Sequence, residues 1–196
     1  MKPTLSPQWY VLRATYGREK KAYEYLVSQG VNAFYPTIKS VKLIGGKRKR
    51  ILESRLPNIL FAYGTLEQIK AFVFDNVNLP YLRFYYRHFN TTLNAKKEPL
   101  VIPDNQMESL KIICEAEADD IIVSSDAIRK FEEGQLVRII DGAFKGVVGH
   151  VARYMGQQRV GIVIDGDLLV TTAYVPSGFI REITDNESPR QECART

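Results

Sequence analysis

Thiols and imidazoles are scarce in this chain, which has 2 cysteines and 2 histidines. Cys114 and Cys193 belong to no CxxC pair. One falls on an apolar helical stripe and the other in a polar tail, so neither a disulfide nor a zinc site is expected. His88 and His150 have no nucleophile and no metal-ligand spacing around them, which removes the commonest acid–base and metal chemistry. Long apolar runs are missing too. Nothing approaches the roughly 18 residues of a membrane span. The opening Met1-Lys2-Pro3-Thr4-Leu5-Ser6-Pro7 also lacks the apolar core of a signal peptide. Cytoplasmic residence without a membrane partner is the expectation. No glycine loop is built to cradle a phosphate, because Gly45-Gly46 leads into a basic hairpin and not a helix. These absences argue against an enzyme and against any cofactor.

What is present is apolar material, 45% of the residues, enough for one or two small domains with cores of their own. The net charge of +5 is modest but unevenly placed. Lys39 to Arg55 holds seven basic residues against Glu53, a balance of +6. Glu115 to Glu133 holds seven acidic residues against Arg129 and Lys130, a balance of −5. A basic block and an acidic block therefore occupy separate segments.

Trp9 to Ala14 is β-prone and ends at Gly17. From Arg18 to Gln29, Ala22, Tyr25, Leu26 and Gln29 recur at helical spacing, and Gly30 is a natural C-cap. Val31 to Ile38 returns to strand character, limited by Pro36. Val41 to Leu52 reads as a hairpin turning at Gly45-Gly46, with Lys47-Arg48-Lys49-Arg50 next to the turn. Leu56 to Tyr63 is continuously apolar, hence a central strand. Thr65 and Gln68 form a capping box that opens a helix to about Phe74. Leu79 to Phe84 is a further strand. A polar loop from Asn90 to Glu98 leads to Leu100-Val101-Ile102, and Pro103-Asp104 starts a helix with Met107, Leu110, Ile113 and Cys114 on one face. The order β-α-β-(hairpin)-β-α-β-α predicts an α+β sandwich over residues 8–114, with the helices on one face of the sheet.

The acidic segment 115–130, interrupted by Ile121-Ile122-Val123, reads as a linker. After it the character is all-β: Leu136–Ile140, Val147–Tyr154, Arg159–Ile164, Leu168–Tyr174 and Phe179–Ile183 are predicted strands. Asp165-Gly166 is a strong hairpin signal. Five short strands predict a small SH3-like β-barrel over residues 131–184, followed by a polar tail, 185–196. The first hairpin has unusual punctuation. Asp141-Gly142 and Gly146 supply positive-φ positions, and Gly149 sits inside a strand, where it implies a bulge or a close backbone approach.

The stretch from Glu132 to Gly149 resembles the KOW motif of the NusG family's C-terminal domain. Trp9-Tyr10-Val11, the helix ending near Gly30, the Gly-Gly-basic hairpin and the Pro57 strand resemble that family's N-terminal domain. The resemblance spans roughly Gln8 to Ile183. Glu53-Ser54-Arg55-Leu56-Pro57-Asn58-Ile59-Leu60-Phe61 is more similar to the specialised paralogue RfaH than to housekeeping NusG. Leu100-Val101-Ile102-Pro103-Asp104-Asn105-Gln106 is similar to the UpxY-type antiterminators of capsular polysaccharide operons.

The resemblance implies a non-enzymatic transcription elongation and antitermination factor. Its N-terminal domain would take the clamp helices of RNA polymerase in an apolar cavity at Leu56, Ile59 and Phe61, with Tyr10 on the neighbouring strand. The alternative that Ile59 and Phe61 are plain core stays open at this point. On physical grounds Lys47, Arg48, Lys49 and Arg50 can follow a phosphate backbone but cannot by themselves read sequence. The expected ligand is DNA near the transcription bubble or nascent RNA. By resemblance, Lys21, Tyr25 and Gln29 on the first helix match positions with which the specialised paralogue reads exposed DNA, although Tyr25 also belongs to the apolar stripe. The barrel implies a ribosomal protein or Rho as a further partner, with the chain itself a monomer. Its Ile/Val-rich strands predict a stable barrel, without the helix-to-barrel switch of RfaH. An RNA- or ribosome-binding module and a general housekeeping NusG are the alternatives.

Overall fold

The computed structural model describes residues 6–87, 98–116, 118, 120–124, 134–164 and 168–183. Most of the expected polar loop from Asn90, the Asp165-Gly166 turn, His88, Glu132-Glu133 and the tail with Cys193 lie outside them. The chain divides into two units, Met1–Glu117 and Ala118–Thr196.

In the first unit the continuous apolar runs become strands buried along nearly their whole length: β1, Gln8–Ala14, and later β5, Ile59–Gly64. Between them lie α1, Glu19–Ser28, a short β2, Asn32–Phe34, and the ribbon of β3, Thr37–Ile44, and β4, Lys47–Ser54. Then follow α2, Leu66–Val73, β6, Leu82–Phe84, the two-residue pair β7, Tyr86–Arg87, and β8, Glu98–Pro99, then β9, Val101–Ile102, and α3, Asp104–Glu115. The main sheet runs β2-β5-β1-β6, with β9 also on β1, so the Pro57 strand is internal as expected. The Thr65 hydroxyl accepts from the Gln68 amide at 3.3 Å and the Gln68 side chain accepts from the Thr65 amide at 3.0 Å, which is the expected capping box.

The helices do not share one face. Tyr10, Leu12 and Ala14 of β1 and Leu60 and Ala62 of β5 join Ala22 and Leu26 of α1 and Ile69 and Val73 of α2 in one core cluster. On the opposite face α3 packs against β1 and β3, and its Lys111 Nζ lies 4.4 Å from the Trp9 ring centroid. The physical reason is in the strands themselves. β1 and β5 have almost no polar alternation, so each needs cover on both sides. Met107, Leu110, Ile113 and Cys114 of α3 are buried as predicted. Each fully buried aliphatic side chain of this kind contributes about 1.5–3 kcal/mol.

The described residues of the second unit form one antiparallel sheet. Its strands are β10, Ile122–Ser124, β11, Leu136–Ile139, β12, Val148–Tyr154, β13, Gln157–Ile164, β14, Leu168–Thr171, and β15, Ile180–Glu182. They pair in the order β10-β14-β13-β12-β11-β15. Gly142 and Gly146 adopt the expected positive φ, 81° and 98°. Gly149 makes the expected close approach, since a Cβ there would lie 2.5 Å from the Gly161 carbonyl oxygen. β10 comes from the segment read as linker. Ile122 pairs with Thr171 on the outer edge of β14, and buried Arg159 donates to the Asp120 carbonyl at 2.5 Å and to its carboxylate at 2.9 Å. An apolar triplet inside an acidic run thus covers a strand edge that would otherwise be unpaired.

No helix among the described residues is long and apolar enough to cross a membrane.

Candidate functional site

The ribbon forms because two glycines, Gly45 at φ 59° and Gly46 at φ 75°, provide the tight left-handed turn that matches strand twist. Its register runs from Thr37 opposite Ser54 to Ile44 opposite Lys47, and that register assigns the faces. Val41 and Leu43 lie opposite Arg50 and Arg48, and Leu52 lies opposite Lys39. The other face carries Lys42 opposite Lys49, and Ile44 opposite Lys47. Val41, Leu43 and Leu52 are 62%, 72% and 63% exposed, so one face is an aliphatic row bordered by cations. Glu53 is the ribbon's acid. It pairs with Lys42 and accepts a hydrogen bond from Ser40. The bond from Lys42, and then that from Ser40, holds its carboxyl below the usual glutamate range. That pairing occupies Lys42 and leaves Lys47, Arg48, Lys49 and Arg50 with no ion pair among the described residues.

Lys21 on α1 and Gln29 at its C-cap are exposed and Tyr25 is half-buried between them, while Ala22 and Leu26 face the core. Tyr25 is therefore shared. Its ring packs against the core cluster, and its hydroxyl accepts from the side-chain amides of Asn76 at 3.2 Å and Asn78 at 3.1 Å. Those asparagines escaped the sequence reading, although Asp75-Asn76-Val77-Asn78 is a recognisable turn signal. A phenol bridged by two amides is rigid, with donors and acceptors clustered at its rim.

The expected docking residues do not form one cavity. Phe61 lies opposite Val11 on the face covered by α3, its ring 6.0 Å from that of Phe34. Tyr10 projects from the other face, edge-on to Phe84 at 5.8 Å. Ile59 shares the Phe61 face, as strand alternation requires. Leu56, Ile59, Phe61 and Tyr10 are all buried. The start of β5 is held from α1. Glu19, buried, accepts the Asn58 amide at 2.5 Å, and Asn58 itself sits at φ 65°.

A family model described as "Transcription termination factor nusG" matches residues 7–111, over half of the chain and almost all of the first unit. The chain belongs to the NusG family. Among solved structures this NusG-family chain is similar to one titled "Domain interaction in Thermotoga maritima NusG", at 16% identity and a TM-score of 0.44. That match covers 91% of this chain and 98% of that one. The α+β first unit and the β-rich second unit are the arrangement expected of a NusG protein.

Proposed function

We propose that this NusG-family protein is a transcription elongation and antitermination factor of the specialised kind, which binds the clamp helices of RNA polymerase through its first unit. The observation that carries the reading is the family match over residues 7–111, because it falls on the unit with the rigid sheet and the basic ribbon. With Leu56 and Phe61 buried, docking uses them as a stiff floor and meets the partner at the margin of the sheet where β5 begins, at Ile59 with 8% exposure. Area on such a margin, and not aromaticity, is what a helical partner needs.

The Lys47-to-Arg50 tip then lies free to follow phosphates of DNA near the bubble or of the nascent transcript. Lys21, Tyr25 and Gln29, with Asn76 and Asn78 added, offer hydrogen-bonding groups to an exposed strand. Holding the polymerase in a pause-resistant arrangement is a population shift, with no bond made or broken. The β-rich unit recruits a second partner, a ribosomal protein or Rho, at high effective concentration. Operon specificity, including capsular polysaccharide operons, rests on the sequence likeness of Leu100 to Gln106.

The test is binding of the full chain to an isolated clamp-helix fragment. Micromolar affinity that falls severalfold in Ile59→Ala, which removes apolar surface without burying a charge, with an unchanged circular dichroism spectrum, is the expected result. Equal binding by the variant overturns this docking surface.

A further inference from the structure

Lys47-Arg48-Lys49-Arg50 alternates two kinds of cation, and strand alternation sorts them. In the register of β3 on β4, the face that carries Val41, Leu43 and Leu52 also carries Arg48 and Arg50. Lys47 and Lys49 fall on the opposite face. The difference matters chemically. A lysine ammonium is a strongly hydrated point charge, whereas a guanidinium is planar, weakly hydrated and grips a carboxylate through two parallel hydrogen bonds. Arginine is enriched, and lysine depleted, where proteins meet. The arginine face is also the one with the aliphatic row, in which all three side chains are more than half exposed. No acid stands on it, because Glu53, the carboxylate of the ribbon, pairs with Lys42 on the other face. A row of large aliphatic side chains left in water, rimmed by charge of one sign, marks an interaction surface.

We infer that the arginine face of the ribbon seats an amphipathic helix of a partner protein, one whose flank carries a row of carboxylates. From Leu52 through Val41 to Leu43 the row advances two steps of the ribbon, about 13–14 Å. Helix positions i, i+4 and i+8 span about 12 Å, so three apolar residues of one helix cover it. Arg50 stands opposite Val41 and Arg48 opposite Leu43, so the guanidiniums border the row on the β4 side. Their strand positions lie about 6.8 Å apart, near the 6 Å rise from i to i+4, and two acids at that helical spacing meet one arginine each. Other occupants match less of the surface. A nucleic acid would use the guanidiniums and leave the row in water, since bases stack on aromatic side chains and this face has none. A strand added to the ribbon's edge would pair backbone and leave the row equally bare. Two copies of the ribbon would set guanidinium against guanidinium. Phosphate contact at the tip then falls to Lys47 and Lys49. The seat takes in no residue of the β5 margin, so it stands whether or not the clamp helices dock there.

The test is fluorescence anisotropy of the full chain with a labelled Ala-based helix of about 18 residues, bearing Leu at i, i+4 and i+8 and Glu along one flank. The same composition in scrambled order is the control, and labelled dT12 is the nucleic-acid probe. The parent should prefer the ordered helix. Leu43→Gln with Leu52→Gln, at exposed positions, should keep the dichroism spectrum and lose about tenfold or more in helix affinity. Arg48→Lys with Arg50→Lys keeps the charge, so dT12 binding should stay within about twofold while helix affinity falls about threefold to tenfold. Lys47→Gln with Lys49→Gln should do the reverse, lowering the salt slope of log K for dT12 by about 1.4, about 0.7 for each cation, and sparing the helix. The leucine variant should bind the clamp-helix fragment as the parent does, so the two interactions are measured apart. The inference is overturned if the parent binds ordered and scrambled peptides equally, or if the leucine and arginine variants both bind the helix as the parent does. Binding to phosphatidylserine vesicles that needs Leu43 and Leu52, with no helix binding, also overturns it and makes the face a lipid surface.

Discussion

Substituting Gly149 by alanine should unfold the β-rich unit selectively. The added Cβ would lie 2.5 Å from the Gly161 carbonyl oxygen and 3.1 Å from Val160 Cγ1. Ordinary contact begins at 3.4 Å, so the facing backbone must retreat by nearly an ångström. β13 cannot move there without opening its ladder with β12, where His150 pairs Gly161 and Val151 pairs Val160. Overpacking costs about 1–3 kcal/mol. An opened ladder hydrogen bond costs about 1 kcal/mol more. Alanine returns about 0.4–1 kcal/mol by narrowing the unfolded ensemble. The net expectation is a loss of about 1–3.5 kcal/mol. Trp9 is the single tryptophan and lies in the first unit, so its fluorescence in a urea titration reports that unit alone. Far-UV circular dichroism reports both. The dichroism component of the second unit should shift to lower urea while the Trp9 transition stays put. Gly161→Ala is the control. Its nearest obstacle is Leu169 Cδ1 at 2.9 Å, the end of a rotatable side chain, so the loss should stay below about 1 kcal/mol. A Gly149→Ala protein within about 0.5 kcal/mol of the parent would refute the steric reasoning.

Glu19→Ala leaves the Asn58 amide without its acceptor and should destabilise the first unit by about 1–3 kcal/mol, read from the Trp9 transition; no shift would show that the contact is dispensable. Burial pushes the Cys114 thiol up to about 12, so in a Cys193→Ser background it should resist a thiol reagent at pH 8 until the first unit opens. Labelling at the rate of a free thiol would contradict the burial. The Glu53 carboxyl should titrate below the ordinary glutamate range by NMR, and Lys42→Met should raise it. Because its folded value is depressed, its contribution to stability is present above the unfolded value and is lost as pH falls through the folded one. An unchanged Glu53 titration in Lys42→Met would remove Lys42 as the cause.

Features with a local signature could be read from the residues in advance. Gly45-Gly46 announced the ribbon, Thr65 and Gln68 the start of α2, and the Met107, Leu110, Ile113 and Cys114 stripe the buried side of α3. Each depends on neighbours within one helical turn or one hairpin. Features set by register across distant strands could not. The spacing from Met107 to Cys114 says that α3 has an apolar face, but not which face of the sheet it covers. Only the pairing of Val11 with Phe61 separates Tyr10 from Phe61. Ile122 looked like an interruption in a linker because its partner, Thr171, is far along the chain. Tyr16 gave no sign of its left-handed backbone, since Gly17 beside it is the residue that ordinarily takes that role.

The central claim is that this NusG-family chain acts on transcribing RNA polymerase. It is tested most directly by in vitro transcription through a long terminator-containing template, with and without the native leader. The account predicts readthrough that depends on the leader. Equal readthrough on both templates would make the chain a general factor, and no change on either would contradict the account.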